Sequence, residues 1–273
     1  MRLDTPGRLN RLGKKVTPLL SRLAAHPRLT NLIELTAAYL NLVIGKGAGT
    51  GWDRGEEFAA SRLIARQDPV ILDLGANRGA WTLELRRLVG TGGRWVLVEP
   101  AAECCKLLCE LDDVELIEAA VSDHSGMTVL YTPGGGSGLA SLHRREDSVV
   151  DSKSFEERQV PVKTIDEILE ERGIEQVELL KMDLEGHELF ALKGASAALR
   201  ARRIRALTFE FGAANINSRT FFKDFWDLLT CDGYEIARIY PGGRTVPITE
   251  YYEDLEYFRG ATNYVATVGP DVP

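Results

Sequence analysis

The chain has 273 residues, of which 44% are hydrophobic and 27% charged, enough for one large globular domain or a domain with an appendage. Its formal net charge of −7 does not advertise nucleic-acid binding. Cys104, Cys105, Cys109 and Cys231 give no disulfide framework in a chain this long, which suits a reducing cytoplasm. The first three fall on one predicted helix with no histidine near in sequence, so they read as small core residues and not as zinc ligands.

The charge is unevenly spread: residues 1–50 hold eight Lys/Arg against Asp4 and Glu34, net +6, leaving −13 for the remainder. The most apolar run there, Leu32 to Ile44, is 13 residues and contains Glu34, Thr36 and Asn41. It is too short and too polar to span a bilayer, and too far from the terminus to read as a signal peptide. Residues 8–44 are expected to be helical in two or three pieces, broken near Pro18 and Pro27, with Leu9, Leu12, Leu19, Leu20 and Leu23 among the cations. A helical cap over the active site or a homodimer contact is one reading; a basic amphipathic patch on an anionic membrane surface is the other. The cap is preferred, because nothing in the sequence confines the cations to one face. Gly45 to Gly55 reads as a linker, which divides the chain into a basic segment over 1–50 and a catalytic domain over 51–273.

A helix from Glu56 to Arg66, with Phe58, Leu63 and Ile64 inward, leads through Asp68-Pro69 into Val70–Leu74. That apolar run has no alternation and is closed by Gly75, as a strand buried on both faces of a parallel sheet would be. The turn Gly75-Ala76-Asn77-Arg78-Gly79 precedes a helix over Ala80–Val89, whose first amides point at the same spot. The next strand, Arg94–Val98, ends in Glu99, 26 residues after Asp73, where a carboxylate can accept both hydroxyl hydrogens of a ribose. A dinucleotide site would use G-x-G-x-x-G; these glycines are spaced G-x-x-x-G. Asp73 just before them would repel phosphate and attract an ammonium. A ligand with a ribose, an ammonium, a carboxylate and no phosphate is S-adenosylmethionine, with Asp73, Gly75, Ala76, Asn77, Gly79 and Glu99 as candidate contacts. The plainer alternative is that the glycines only shape a turn.

A helix over Ala101–Leu111 and a third strand over Val114–Val121 complete a right-handed parallel pattern. In such a sheet the third strand's end lies beside the adenine, so Ala120, Val121 and Ser122 are candidates to line that pocket; as small residues they fit a place in the core equally well. Residues 127–163 read as an insertion: an edge strand over Met127–Tyr131, a glycine-rich lid or substrate loop over Pro133–Gly138, and a strand over Gln159–Lys163. His143, Arg144 and Arg145 follow the glycine-rich loop, to face an anionic substrate or water; water is the preferred expectation for each. After a helix from Thr164 to Gly173, the fourth core strand, Val177–Met182, delivers Asp183-Leu184-Glu185-Gly186-His187-Glu188.

The first and fourth strands flank the reversal of strand order where ligands bind, so Asp183 to Glu188 should face the cofactor turn. Methyl transfer to an alcohol needs in-line positioning and a general base. His187 is the candidate base because imidazole titrates near neutral pH, with Glu185 or Asp183 orienting it or sharing the task. The alternative is that His187 is exposed on a first helical turn whose N-terminus favours the neighbouring acids. A magnesium ion on Asp183 is disfavoured, since no second acidic pair completes a cage; no metal is expected. Glu210, a charge between Phe209 and Phe211 near the end of the strand Ile204–Phe211, is expected to look into the pocket. Phe221, Phe222, Phe225 and Trp226 on the next helix read as core, and Tyr234–Tyr240 with Asn263–Val268 as a closing strand pair.

Asp73-Leu74-Gly75-Ala76-Asn77-Arg78-Gly79, Val98-Glu99-Pro100, Val162-Lys163-Thr164-Ile165-Asp166, Leu180-Lys181-Met182-Asp183-Leu184-Glu185-Gly186-His187-Glu188 and Leu192-Lys193-Gly194-Ala195 together resemble the FkbM family of methyltransferases, over about residues 56–212. The resemblance implies an α/β fold, the seven-stranded, mostly parallel, Rossmann-like class I methyltransferase sheet with helices on both faces. It also implies S-adenosylmethionine as donor and hydroxyls on sugars, glycolipids or macrolide-like molecules as acceptors. It supports Asp73, Gly75, Asn77 and Glu99 as cofactor contacts and Asp183 and Glu185 as active-site carboxylates. The expectation is a cytoplasmic O-methyltransferase acting on a carbohydrate-containing or polyketide metabolite. Nucleic-acid bases are disfavoured because the fourth strand lacks the Asn/Asp-Pro-Pro-aromatic turn of base-modifying enzymes. A nicotinamide-dependent oxidoreductase and a non-catalytic binding module of the same fold are the alternatives.

Overall fold

The computed structural model describes residues 17–18, 21–22, 24–49, 54–133, 137–146 and 155–269. They fall into two compact units, Met1–Ile44 and Gly45–Pro273. In the first, helix α1 spans Pro27–Val43, with Pro27 in the opening turn, where a missing N–H and a fixed φ fit the helix. Helical pieces expected between 8 and 16 lie outside the described residues.

The second unit begins with a correction. The glycine-rich stretch at its start is fastened to the sheet over 45–49: the Gly49 N–H donates to Ala261 O at 2.7 Å, and the buried Lys46 ammonium donates to Asp254 O at 2.5 Å. Glycines here permit close approach to another backbone. They do not make this stretch a free tether. Helix α2, Gly55–Ser61, is shorter than expected and turns Ala59 toward Ile239 and Val265 and Ala60 toward the cluster of Ile71 and Ala206, while Phe58, expected inward, is 39% exposed.

Strands and helices then alternate: β1 (Val70–Leu74), α3 (Ala80–Val89), β2 (Arg94–Val98), α4 (Ala102–Leu108), β3 (Glu115–Ile117), β4 (Ala120–Val121), β5 (Gly126–Pro133), β6 (Phe155–Lys163), α5 (Ile165–Glu171), β7 (Leu179–Met182), α6 (Glu188–Lys193), α7 (Ser196–Arg200), β8 (Ala206–Gly212), α8 (Asn215–Ser218), α9 (Phe222–Cys231), β9 (Tyr234–Tyr240), β10 (Arg244–Ile248) and β11 (Ala261–Val268). The main sheet runs β10-β9-β11-β8-β7-β1-β2-β3. From β3 to β8 neighbouring strands are parallel, whereas β11 runs antiparallel to both β8 and β9. This is the class I methyltransferase arrangement with one strand more than expected. The addition is β10, which returns from β9 through Gly242 and Gly243; its Pro247 is tolerated because an edge strand leaves one side of its ladder unpaired.

The expected third strand is two. The Ala119 N–H donates to Ile117 O at 3.0 Å, a tight turn that breaks the ladder after β3. β4 then leaves the main sheet and pairs with β6 in a second sheet of order β4-β6-β5. The insertion is thus a small sheet of its own and not an edge of the large one.

The core beneath β8 is aromatic: Phe209 stacks on Phe225 with ring centroids 5.0 Å apart, and Phe222 and Tyr264 pack beside them. Phe222 and Phe225 are buried, while Phe221 is exposed. Of the cysteines, Cys104 and Cys105 are buried; Cys109, expected in the core, is exposed because it lies just past the end of α4. Truncating Phe225→Ala, at 0% exposure, is expected to lower unfolding free energy by about 3–5 kcal/mol, read from denaturant titration.

Candidate active site

Strand order reverses between β1 and β7, and the loops leaving both strands meet there. Gly75 sits at φ +74°, and a Cβ on it would lie 1.9 Å from Asp183 O, so glycine is needed for the two loops to touch. Asn77, also left-handed at φ +48°, donates its N–H to Glu99 Oε2 at 2.8 Å, while Glu99 Oε1 accepts from the Ala101 N–H at 2.8 Å. Burial raises the Glu99 pKa, and these two amides offset part of that. Each carboxylate oxygen keeps a further lone pair for a ligand hydroxyl.

Gly75, Asn77, Glu99 and Pro100 line one side of a cleft whose floor is Ala119, Ala120 and Val121, and whose far wall is Asp183, Leu184, Glu185 and His187. Small apolar residues beside a buried carboxylate suit a nucleoside, so the chain's residues fit the donor expected there. Three candidates shape this cleft without lining it. The Ala76 N–H donates to Val98 O at 3.2 Å, Gly79 packs against Leu108 and Leu111, and buried Ser122 faces His187.

Asp73 requires correction. It is 0% exposed, accepts from Thr82 Oγ1 at 2.6 Å, and lies 3.0 Å from the Lys181 ammonium. A carboxylate so engaged cannot be the open attractor for an ammonium. Lys181 also donates to Gly75 O at 3.1 Å and lies 3.8 Å from Asp183. Burial disfavours its charge, but Asp73, Asp183 and Glu56 outweigh that and raise its pKa. The sequence carried a sign of this residue: a cation inside the apolar strand Leu179–Met182, as unusual as Glu210 in β8.

His187 is neither exposed nor placed to act as a base. It is buried at the N-terminus of α6, stacked on Phe190 with centroids 4.6 Å apart. Its Nε2 is 2.9 Å from Ser122 Oγ and its Nδ1 is 2.9 Å from His143 Nε2. Burial, with repulsion from His143, lowers its pKa to about 3. A neutral imidazole with both nitrogens engaged is a poor proton acceptor. The inserted segment is equally unlike its expectation. His143 is half-buried, and Arg145, 3% exposed, pairs with Glu185. Ser141 Oγ donates to Glu185 O at 2.9 Å. Only Arg144 of the three faces solvent as expected, its guanidinium 5.5 Å from the Phe155 ring.

A second cleft adjoins the first across Asp183 and Glu185. Glu188, Glu210 and Arg145 also line it, with backbone from Gly212 to Asn215 and from Gly260 and Ala261. Glu210 therefore does look into a pocket, as its place in β8 predicted. Burial, then repulsion from Asp183, Glu185, Glu56 and Glu188, raises its pKa well above the ordinary carboxylate value. Glu188 accepts from the Leu184 and Gly186 N–H groups at 2.8 and 3.2 Å, yet burial pushes its pKa up to about 7. Glu56, bonded by Thr208 Oγ1 at 2.8 Å, also reaches about 7 through burial. Glu185 holds φ +51°, a left-handed conformation costly for a non-glycine residue, with its side chain tied to Arg145.

Residues 73–236, more than half of the chain, match the family described as "Methyltransferase FkbM domain". Over 157 residues the chain is 30% identical to the 2-O-methyltransferase NoeI of Sinorhizobium fredii (strain NBRC 101917 / NGR234), covering 52% of this chain and 63% of that protein. It thus spans less than two thirds of that curated relative. Among solved structures, a methyltransferase FkbM from Methylobacillus flagellatus KT aligns with a TM-score of 0.48 at 16% identity, over 77% of this chain and 47% of that one. Aeropyrum pernix fibrillarin, in complex with natively bound S-adenosyl-L-methionine, aligns with a TM-score of 0.41 at 15% identity, over 78% and 75%.

Two outcomes are expected. Lys181→Met strands the buried Asp73 carboxylate and should cost about 3–5 kcal/mol in denaturant unfolding, with Asp73→Asn in the same chain recovering part of the loss. Glu56 and Glu188 hold protons in the folded state up to about pH 7 that the unfolded chain releases near 4.5. Their contribution to stability therefore falls as pH rises through that window, and Glu188→Gln should flatten the decline in thermal unfolding measured against pH.

Proposed function

The chain belongs to the FkbM methyltransferase family, whose methyl donor is S-adenosylmethionine, and from that premise we propose an O-methyltransferase acting on a hydroxyl of a sugar, glycolipid or polyketide-type metabolite. The observation that carries this reading is the pair of clefts sharing Asp183 and Glu185 as a common wall. One cleft suits a nucleoside; the other opens on carboxylates suited to a neutral hydroxyl. That the curated relative is a 2-O-methyltransferase supports oxygen as the accepting atom. A diphosphate would meet Asp183 and Glu185, which stands against the nicotinamide alternative. We place the reaction in the cytoplasm with no nucleic-acid partner.

The donor, when bound, supplies an electrophilic methyl group on a sulfonium. Gly75, Asn77 and Glu99 would hold its nucleoside end, and Asp183 would offer negative charge where the two clefts join, beside the Glu185–Arg145 pair. Glu210 takes the proton from the acceptor oxygen as that oxygen attacks. Its raised pKa makes it a stronger base than an ordinary carboxylate, provided it is ionised. His187 keeps the loop after β7 in place through Ser122 and His143 and takes up no proton in the step.

The test is transfer of labelled methyl to a neutral sugar acceptor across a range of pH. Wild-type turnover should rise with pH as Glu210 ionises. Glu210→Gln should lower kcat by about 10²- to 10⁴-fold and remove that limb, with S-adenosylhomocysteine binding retained. His187→Asn should keep the limb. Unchanged turnover in Glu210→Gln would remove Glu210 from the mechanism, and no transfer to any hydroxylated acceptor by a chain that binds S-adenosylhomocysteine would favour the non-catalytic module.

A further inference from the structure

Large apolar side chains on a helix ordinarily turn away from water. In α1 they do the reverse. Leu32, Leu35, Tyr39, Leu40 and Val43 recur at i, i+3, i+7, i+8 and i+11, which places them on one face, and they are 59, 53, 67, 60 and 52% exposed. Ile33 flanks them, and no residue of the helix is buried. Thr36 falls on the same face, but its Oγ1 donates back to Leu32 O at 2.7 Å, so its hydroxyl is spent within the helix. Glu34 and Asn41 occupy the opposite side, and Asn31 borders the face.

This helix has 17 residues, and among the described residues no helix is long and apolar enough to cross a membrane. An apolar face of that length lies along an interface and does not pass through one. Charge decides which interface. The unit that carries α1, residues 1–44, holds seven Lys/Arg against Asp4 and Glu34, net +5, while the remainder of the chain carries −12. Pairing this face with the same face of a second copy would set like charge against like. An anionic bilayer offers an apolar layer for the leucines and negative headgroups for the cations together. We infer that α1 lies in the headgroup plane of an anionic lipid membrane, with Leu32, Leu35, Tyr39, Leu40 and Val43 directed toward the acyl chains and the exposed Arg28 of its first turn on a lipid phosphate.

The full chain is sedimented with vesicles of phosphatidylcholine alone and of phosphatidylcholine mixed with phosphatidylglycerol, at low and high salt. Retention is expected on the mixed vesicles, at least about tenfold weaker on phosphatidylcholine alone, and weakened by salt. Leu32→Glu/Leu40→Glu should reduce affinity for the mixed vesicles by at least about tenfold. Both positions are exposed, so circular dichroism and S-adenosylhomocysteine binding should be unaltered in the variant. Absence of retention, or equal retention on both vesicle types, overturns the inference. So does a lipid-free dimer that the double substitution dissociates, seen without any vesicle retention.

Discussion

Beneath the crevice the ammonium of Lys181 meets the carboxylates of Asp73, Asp183 and Glu56, and their attraction exceeds the cost of burying it. The lysine comes from β7, Asp73 from β1, Asp183 from the loop after β7, and Glu56 from α2. Its hydrogen bond to Gly75 O draws the cofactor turn into the same network. The two loops that form the crevice are therefore held by one cation as well as by the close approach of Gly75 to Asp183. Around the second cleft Arg145 pairs with Glu185 and Lys181 lies 3.8 Å from Asp183, so two buried cations offset the repulsion among its four acids. With both in place, the cleft stays acidic and the loops stay together.

Acidity in this quantity has a chemical use. Glu188 and Glu210 are pushed toward neutrality by burial and by their neighbours, so the cleft contains carboxyl groups that change ionisation far above the ordinary range. Such groups are what a proton-accepting step near neutral pH requires. Imidazole is the more familiar solution, but here the histidine is held by Ser122 and His143 and stays neutral. In this site the imidazole positions a loop and a carboxylate is the candidate base.

The parts of this arrangement that were legible in the sequence are those set by local pattern. β1 and α3 fall where the unbroken apolar run and the helical spacing put them, because a strand buried on both faces and a helix packed on one leave strong periodic traces. Glu210 was visible as a charge inside an apolar strand. What could not be read depends on distant partners. Nothing near Asp73 reveals that Lys181, 108 positions later, will neutralise it. Nothing near Arg145 reveals Glu185, and nothing near His187 reveals that the inserted segment will bury it. The break between β3 and β4 hangs on a single tight turn at Ala119, which hydrophobic periodicity does not register.

Because β4 departs from the large sheet, the segment walling both clefts belongs to an accessory layer that packs on Ala101 and Cys104 of the main framework and is tied to the loop after β7 by side chains, among them Ser141 to the Glu185 carbonyl and His143 to His187. Residues 137–146 form no rung of the main ladder, so a change of length there leaves its register intact while altering the contacts that hold Glu185 and His187.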